Sequence, residues 1–388
     1  MKGFAHKIKL TLAGLALLAA ALGAAYSACC LLWFLKFQYQ KHFLPQTIAR
    51  GFVRHPFLTS EMAPNQRMVE YPFGKEKPYK WITNAQGCRD ERNYTTNRTP
   101  GVARWLCLGG SAVVCGTANS LVVPAQLERL IDGKSAAGTK TEIYNFGRVG
   151  WDSTQELLAF ATVLRDYRPD YLLIYNGRND ALMASLPRYR PFWNAWSYEV
   201  DRELNEISAA RMFFYPLWRA REAWRQFRNP DEYAAREAHL FIQEKGVKNL
   251  GFYRAHPEIG PVYQGNLERL VFLARQGGCK GVLMVLQPQF AWSGKPPSPG
   301  EKAFDERHTQ TSWREAMMQL RPVIRAAHEN AFAAVRTVLP CVRVDLNAVF
   351  AGETRHLFVD DCHLTDDGNA FAAENLAPLA LKLMGDSR

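Results

Sequence analysis

From residue 10 to residue 35 the chain carries no charged side chain, and Lys2, Lys7 and Lys9 stand just before that run. As a helix the run spans roughly 39 Å at about 1.5 Å per residue, enough to cross a bilayer with tilt. Small residues between Ala24 and Ala28 resemble the cleavage region of a signal peptide. The apolar run continues past them through Trp33 and Phe34, which suits an uncleaved anchor better. A lipoprotein site at Cys29 is disfavoured because Tyr26 stands where a leucine-like residue is expected. The short basic tail favours a tail-inside, body-outside orientation, although Lys36, Lys41, Arg50 and Arg54 blur the charge count. The expected organisation is a cytoplasmic tail (1–9), a transmembrane anchor (10–35), a membrane-proximal linker (36–100) and one folded domain (101–388).

Within that linker, residues 81–89 look structured, as a loop or short strand beside the core. From residue 101 the apolar pattern alternates. Strands are expected at 104–109, 141–145, 170–175, 281–286 and 342–346. Helices are expected at 121–132 with Pro124 near the start, 154–166 capped by Ser153 with Glu156 as its box partner, 263–276, 312–338 and after Thr365. Strand and helix in alternation specify a parallel sheet covered on both faces. Residues 183–258 break the rhythm with aromatics (Phe192, Trp193, Trp196, Phe213, Phe214, Trp218, Trp224) and arginines (Arg211, Arg219, Arg221, Arg225, Arg228). This reads as a helical insertion that is either a lid or membrane-interface patch, or a helical pair packed on the core.

The net charge of +11 favours an acidic contact such as lipid headgroups or an acidic polysaccharide. Nucleic acid is not expected, because the basic residues are dispersed and no recognition motif accompanies them. The eight cysteines form no Cys-x-x-Cys pair. Cys279 and Cys341 each precede an expected strand, which leaves open a disulfide or two buried thiols. No cofactor is expected, since the Gly109–Thr117 turn lacks the lysine of a phosphate loop. Asp360, Asp361, His363, Asp366 and Asp367 admit a metal reading, against which stands helix capping and solvent exposure; no metal is expected.

Gly109-Gly110-Ser111 ends the first strand of this domain and puts a hydroxyl beyond its carboxyl end. A serine needs a base, and the base needs a carboxylate to orient it. Asp360 and His363, three apart ahead of the last helix, meet that need. Backbone N–H groups of Ser111 and Gly150 and the amide of Asn179 are candidate oxyanion donors. Cys115 is expected to pack under the site.

Four blocks, Gly109-Gly110-Ser111, Asn145 to Gly150, Gly177-Arg178-Asn179-Asp180 and Asp360-Asp361-Cys362-His363, resemble in order those of the SGNH (GDSL-like) hydrolase family. The resemblance covers roughly residue 104 to the C-terminus, outside the insertion. It implies a flavodoxin-like three-layer α/β/α fold and acyl-ester hydrolysis or transfer. Ser111 would be nucleophile, His363 base, Asp360 its orienter, and Gly150, Asn179 and Ser111 the oxyanion hole. The expected protein is an anchored periplasmic esterase or O-acyltransferase, on acetyl esters of an envelope or exported polysaccharide. A non-catalytic scaffold or glycan-binding component is the alternative. One departure is Gly110, where the family carries its eponymous aspartate.

Overall fold

The computed structural model describes residues 2–43, 52–53, 58, 61–70, 78–134, 138–183, 255–302 and 312–385, with isolated positions between 217 and 228. The expected insertion therefore lies almost wholly outside the described residues.

Helix α1 (Lys2–Phe43) runs unbroken through Ala24 to Ala28. Its Thr11–Leu32 segment has a mean hydropathy of 2.1, long and apolar enough to cross a membrane; a signal sequence meets the same criterion. Short antiparallel pairs follow: β1 (Phe52–Val53) with β2 (Glu61–Met62), and β3 (Arg67–Glu70) with β4 (Tyr79–Ile82).

The central sheet comprises β5 (Val102–Gly109), β6 (Lys140–Asn145), β7 (Tyr171–Asn176), β8 (Gly281–Leu286) and β9 (Cys341–Asp345), all parallel, in the order β6-β5-β7-β8-β9. In sequence order that is 2-1-3-4-5, the flavodoxin-like doubly wound arrangement. Alternate residues of each strand feed two cores. Trp105, Cys107, Leu173, Tyr175, Leu283 and Val285 face α2 (Val123–Ile131) and the C-terminal helix. Leu106, Leu108, Leu172, Ile174, Val282 and Met284 face α3 (Ser153–Thr162) and α5 (Ile259–Gln276), which follows the short α4 (Arg178–Met183). Every one of these sheet side chains is buried, and each Leu, Val or Ile contributes about 1.5–3 kcal/mol by leaving water. Beyond β8 come α6 (Phe290–Ser293), α7 (Ser312–Ala334), α8 (Leu346–Phe350) and α9 (Asp366–Leu383).

Local geometry departs from expectation at several points. Two 3-10 turns (Ser111–Val113 and Asn119–Leu121) follow β5, and α2 begins at Val123, two residues later than expected. The cap of α3 is Asp152, boxed with Gln155, because a carboxylate reaches the two free N–H groups of Thr154 and Gln155. Ser153 instead turns its hydroxyl to Asp180. α3 ends at Thr162, and a separate 3-10 turn (Leu164–Tyr167) closes on Arg168 at φ 48°. α7 stops at Ala334, and Leu346 opens α8 rather than closing β9. Cys279 and Cys341 are free thiols, Cys279 donating to the Asp170 carbonyl instead.

The stretch read as a linker contributes to the core. Trp81, Cys88, Arg89 and Tyr94 are buried, so the packed unit begins before residue 101. Arg89 donates to the carbonyls of Val114, Gly116 (2.7 Å) and Lys80 (3.1 Å), with its guanidinium 4.1 Å from the Trp81 ring centroid. It fastens the segment to the chain just beyond Ser111.

Candidate active site

In a doubly wound sheet the crevice opens where the strand order reverses, at the carboxyl ends of β5 and β7. Ser111 follows β5 there, and Asn179 follows β7. A third contributor is the loop before α9. An antiparallel bridge, Phe358 with Leu364, and the Val359 N–H to His363 carbonyl bond (2.9 Å) fold residues 358–364 into a small hairpin. Thr365 caps α9 by accepting from the Gly368 N–H, as expected. Asp360 and His363 sit at the hairpin tip.

His363 Nε2 lies 2.7 Å from Ser111 Oγ, and Nδ1 lies 2.6 Å from Asp360 Oδ2. A carboxylate only accepts, so Nδ1 carries the proton, and in the neutral ring Nε2 is the acceptor for the serine hydroxyl. The other Asp360 oxygen accepts from the N–H groups of Cys362 (2.8 Å) and His363 (2.7 Å). Burial pushes the Asp360 carboxyl up, but the His363 charge, its ring hydrogen bond and those two N–H groups together hold it below the usual carboxylate range. Burial likewise opposes charge on His363, yet the adjacent Asp360 carries the imidazole well above its ordinary value.

The tip is tied to the third block by an ion pair between Arg178 and Asp361. The Phe290 N–H donates to the Asp361 carbonyl (2.8 Å), and Gln287 Nε2 to that of Cys362 (3.3 Å).

Of the expected oxyanion donors, Asn179 lies against the serine turn. Asn179 Nδ2 donates one hydrogen to the Trp151 carbonyl (2.6 Å), leaving the second. A Cβ added at Gly110 would fall 2.5 Å from that same Nδ2 and 3.1 Å from Trp151 O, so the amide lies directly against the turn. A side chain at this position would displace Asn179. Gly150 adopts φ 80° with open space around it. Neither its N–H nor that of Ser111 has an acceptor among the described residues.

Supporting contacts come from block residues that had no individual role in the expectation, and from partners outside the blocks. Asn145 Nδ2 donates to the Val113 carbonyl (2.8 Å), and its Oδ1 accepts from the Gly147 N–H (3.0 Å), stitching the second block to the serine turn. Arg148, buried between them, pairs with Glu61 and donates to Cys88 Sγ and the Gln86 carbonyl. Asp180 accepts from the Ser153 N–H and hydroxyl and faces the buried Asp152; burial, reinforced at Asp152 by the Asp180 charge, raises both carboxyls. Only a chain-reversing contact reveals these partners, which local pattern does not encode.

Asp360, Cys362 and His363 bring three donor atoms within 4.8 Å of one another. As a metal set they fit poorly. Nδ1 is committed to Asp360, and burial pushes the Cys362 thiol up to about 11, so it stays protonated at neutral pH. Asp366, from the wider acidic group, instead accepts from the Thr117 N–H (2.9 Å) and hydroxyl. Cys115 is buried, as expected, 4.0 Å from Tyr79 Oη.

The class defined by fold and site is a doubly wound α/β protein with a serine–histidine–aspartate relay at its topological switch point. No family model and no curated protein matches the chain. Among solved structures it is similar to Axe2, an acetylxylan esterase from Geobacillus stearothermophilus, at 16% identity over 74% of this chain and 95% of that one, TM-score 0.36. It is similar to TesA (15%, 72% and 99%, TM-score 0.34) and to the acetyl xylan esterase AlAXEase (14%, 71% and 98%, TM-score 0.35).

Proposed function

We propose that the protein is a membrane-anchored SGNH-type serine esterase or O-acyltransferase acting outside the cytoplasm on acyl, chiefly acetyl, esters of an envelope or exported polysaccharide. The observation that carries the reading is the continuous relay from Ser111 Oγ through His363 to Asp360, at 2.7 and 2.6 Å. Ser111 Oγ attacks the acyl carbonyl carbon as its proton passes to Nε2. The imidazolium so formed is stabilised by Asp360. The carbonyl oxygen becomes an oxyanion received by the N–H groups of Ser111 and Gly150 and the free hydrogen of Asn179. Collapse expels the alcohol, which takes the proton from Nε2 and leaves an acyl-serine. Water or a sugar hydroxyl then attacks the acyl carbon as it gives its proton to His363 Nε2, and the breaking acyl–Oγ bond releases Ser111, whose oxygen takes that proton back.

The α1 helix supports the anchor, and the net charge of +11 supports an acidic surface or glycan nearby. A scaffold that had lost activity would have no need of this spacing between Ser111 and His363. The test is turnover of a simple aryl acetate, which in Ser111→Ala should fall by about 10⁴-fold or more. Undiminished turnover in that variant overturns the reading. Mass spectrometry of envelope glycans with and without the protein separates the two outcomes: acetyl groups accumulate in its absence for an esterase and vanish for a transferase.

A further inference from the structure

The loop after β8 holds an ion pair, Lys295 with Glu301, whose side chains are 0% and 2% exposed. Two buried charges are costly unless hydrogen bonds complete them. Glu301 is completed on both oxygens. Oε2 accepts from Lys295 Nζ (2.6 Å) and the Ser298 N–H (2.8 Å), and Lys295 also donates to the Pro296 carbonyl (3.0 Å). Oε1 accepts from the N–H groups of Leu357 (3.1 Å) and Phe358 (3.0 Å).

Those last two bonds reach the stem of the hairpin that carries Asp360 and His363. The Leu357 carbonyl also accepts from the Thr365 N–H (2.9 Å), so the residue that the carboxylate holds where the hairpin leaves the core is itself bonded to the point where the chain returns to α9. His356 Nε2 donates to the Phe358 carbonyl (2.9 Å), and its ring fills the space beside Gly300. The Asp360–His363 bond is internal to the hairpin and needs none of this. The distance from His363 to Ser111 is different: it spans 252 residues and depends on how the hairpin is docked.

We infer that Glu301, with Lys295 as its counter-ion, is a positioning residue that sets the approach of the Asp360–His363 pair to Ser111. The inference rests on the proposed serine chemistry and adds a residue that the four blocks do not contain. Its signature is selective. With the stem loosened the base keeps its orienter, so the pH midpoint of activity stays while the chemical step slows.

The experiment compares the parent chain with Glu301→Ala on an aryl acetate. Misplacing a catalytic group by about 1 Å costs on the order of 10²-fold, so kcat should fall by about 10- to 100-fold. KM should stay within about twofold and the acid-limb midpoint should not move. Glu301→Gln combined with Lys295→Met keeps an acceptor for Leu357 and Phe358 without a stranded ammonium, and should recover most of the lost kcat. It also serves if Glu301→Ala fails to fold. Leu270→Ala, a core truncation in α5 on the other face of the sheet, controls for stability and should keep the parent kcat. Hydrogen exchange of residues 356–365 should accelerate in Glu301→Ala, and this readout does not depend on activity. A folded Glu301→Ala with parental kcat, or unchanged exchange in that hairpin, overturns the inference. A parent whose turnover survives Ser111→Ala overturns the proposed function instead, while the exchange readout still decides whether Glu301 docks the hairpin.

Discussion

In the proposed reaction the chemistry at Ser111 turns on one proton, whose availability Asp360 would set. Only neutral His363 can accept from the serine, and the imidazole is raised well above its ordinary value of 6.5. Activity should therefore be low in acid and rise as pH climbs through the folded-state value, with the midpoint of the kcat/KM acid limb above 6.5. Asp360→Asn removes the charge that holds the proton. The midpoint should move to lower pH and kcat should fall by about 10⁴-fold, as read from pH–rate profiles of the two proteins. Gly110 supplies a second residue-level outcome. Gly110→Asp places a Cβ 2.5 Å from Asn179 Nδ2, so the proposed oxyanion donor is displaced and kcat should drop by about 10²- to 10³-fold with the fold retained by circular dichroism. These side chains were legible because Ser111 and Asn179 lie just past the ends of β5 and β7, and Asp360 and His363 in the loop ahead of α9, each within a recognisable block. The cap of α3 was misread by one residue, since Asp152 and Ser153 are both good caps and only the claim of Asp180 on Ser153 decides between them.

Among elements, the five strands were legible because β7 and β8 and most of β5 are short apolar runs while β6 and β9 mix β-branched or aromatic residues with polar ones, and their parallel order followed from the helices between them. Residues 81–89 were legible as a structured stretch beside the core, whereas the antiparallel pairing of β3 with β4 and the extension of the packing to Tyr94 were not. That region is polar and proline-bearing, and its attachment comes from Arg89, whose acceptors lie up to 30 residues away and, apart from Asn119 Oδ1 (3.1 Å), are backbone carbonyls with no side-chain signature. Arg89→Leu leaves the Val114, Gly116 and Lys80 carbonyls without their donor. At about 1–3 kcal/mol for each unsatisfied buried group, the loss should be about 3 kcal/mol or more, seen as a lower midpoint in urea unfolding with little change in slope. Glu301 escaped notice for the same reason: its partners Leu357 and Phe358 offer only main-chain N–H groups.

For the whole molecule, the doubly wound body and the apolar helix are separable in composition. The leucines of α1 are largely exposed, Leu17 at 73%, whereas the sheet side chains are buried. Deleting residues 2–43 should move the protein from the membrane to the soluble fraction while turnover of a soluble aryl acetate stays within about twofold, checked by fractionation and initial rates. The aromatic, basic stretch at 183–258 was conspicuous in the sequence, but nearly all of it lies outside the described residues, so what it covers was never legible from pattern alone. The central claim is that Ser111 is an activated nucleophile. The most direct measurement is reaction of the full chain with a fluorophosphonate followed by peptide mass mapping. A single adduct on Ser111, formed more slowly in acid and absent from Ser111→Ala, is the predicted result. Labelling that persists in Ser111→Ala, or a parent chain that takes no label at any pH at which it is folded, would contradict it.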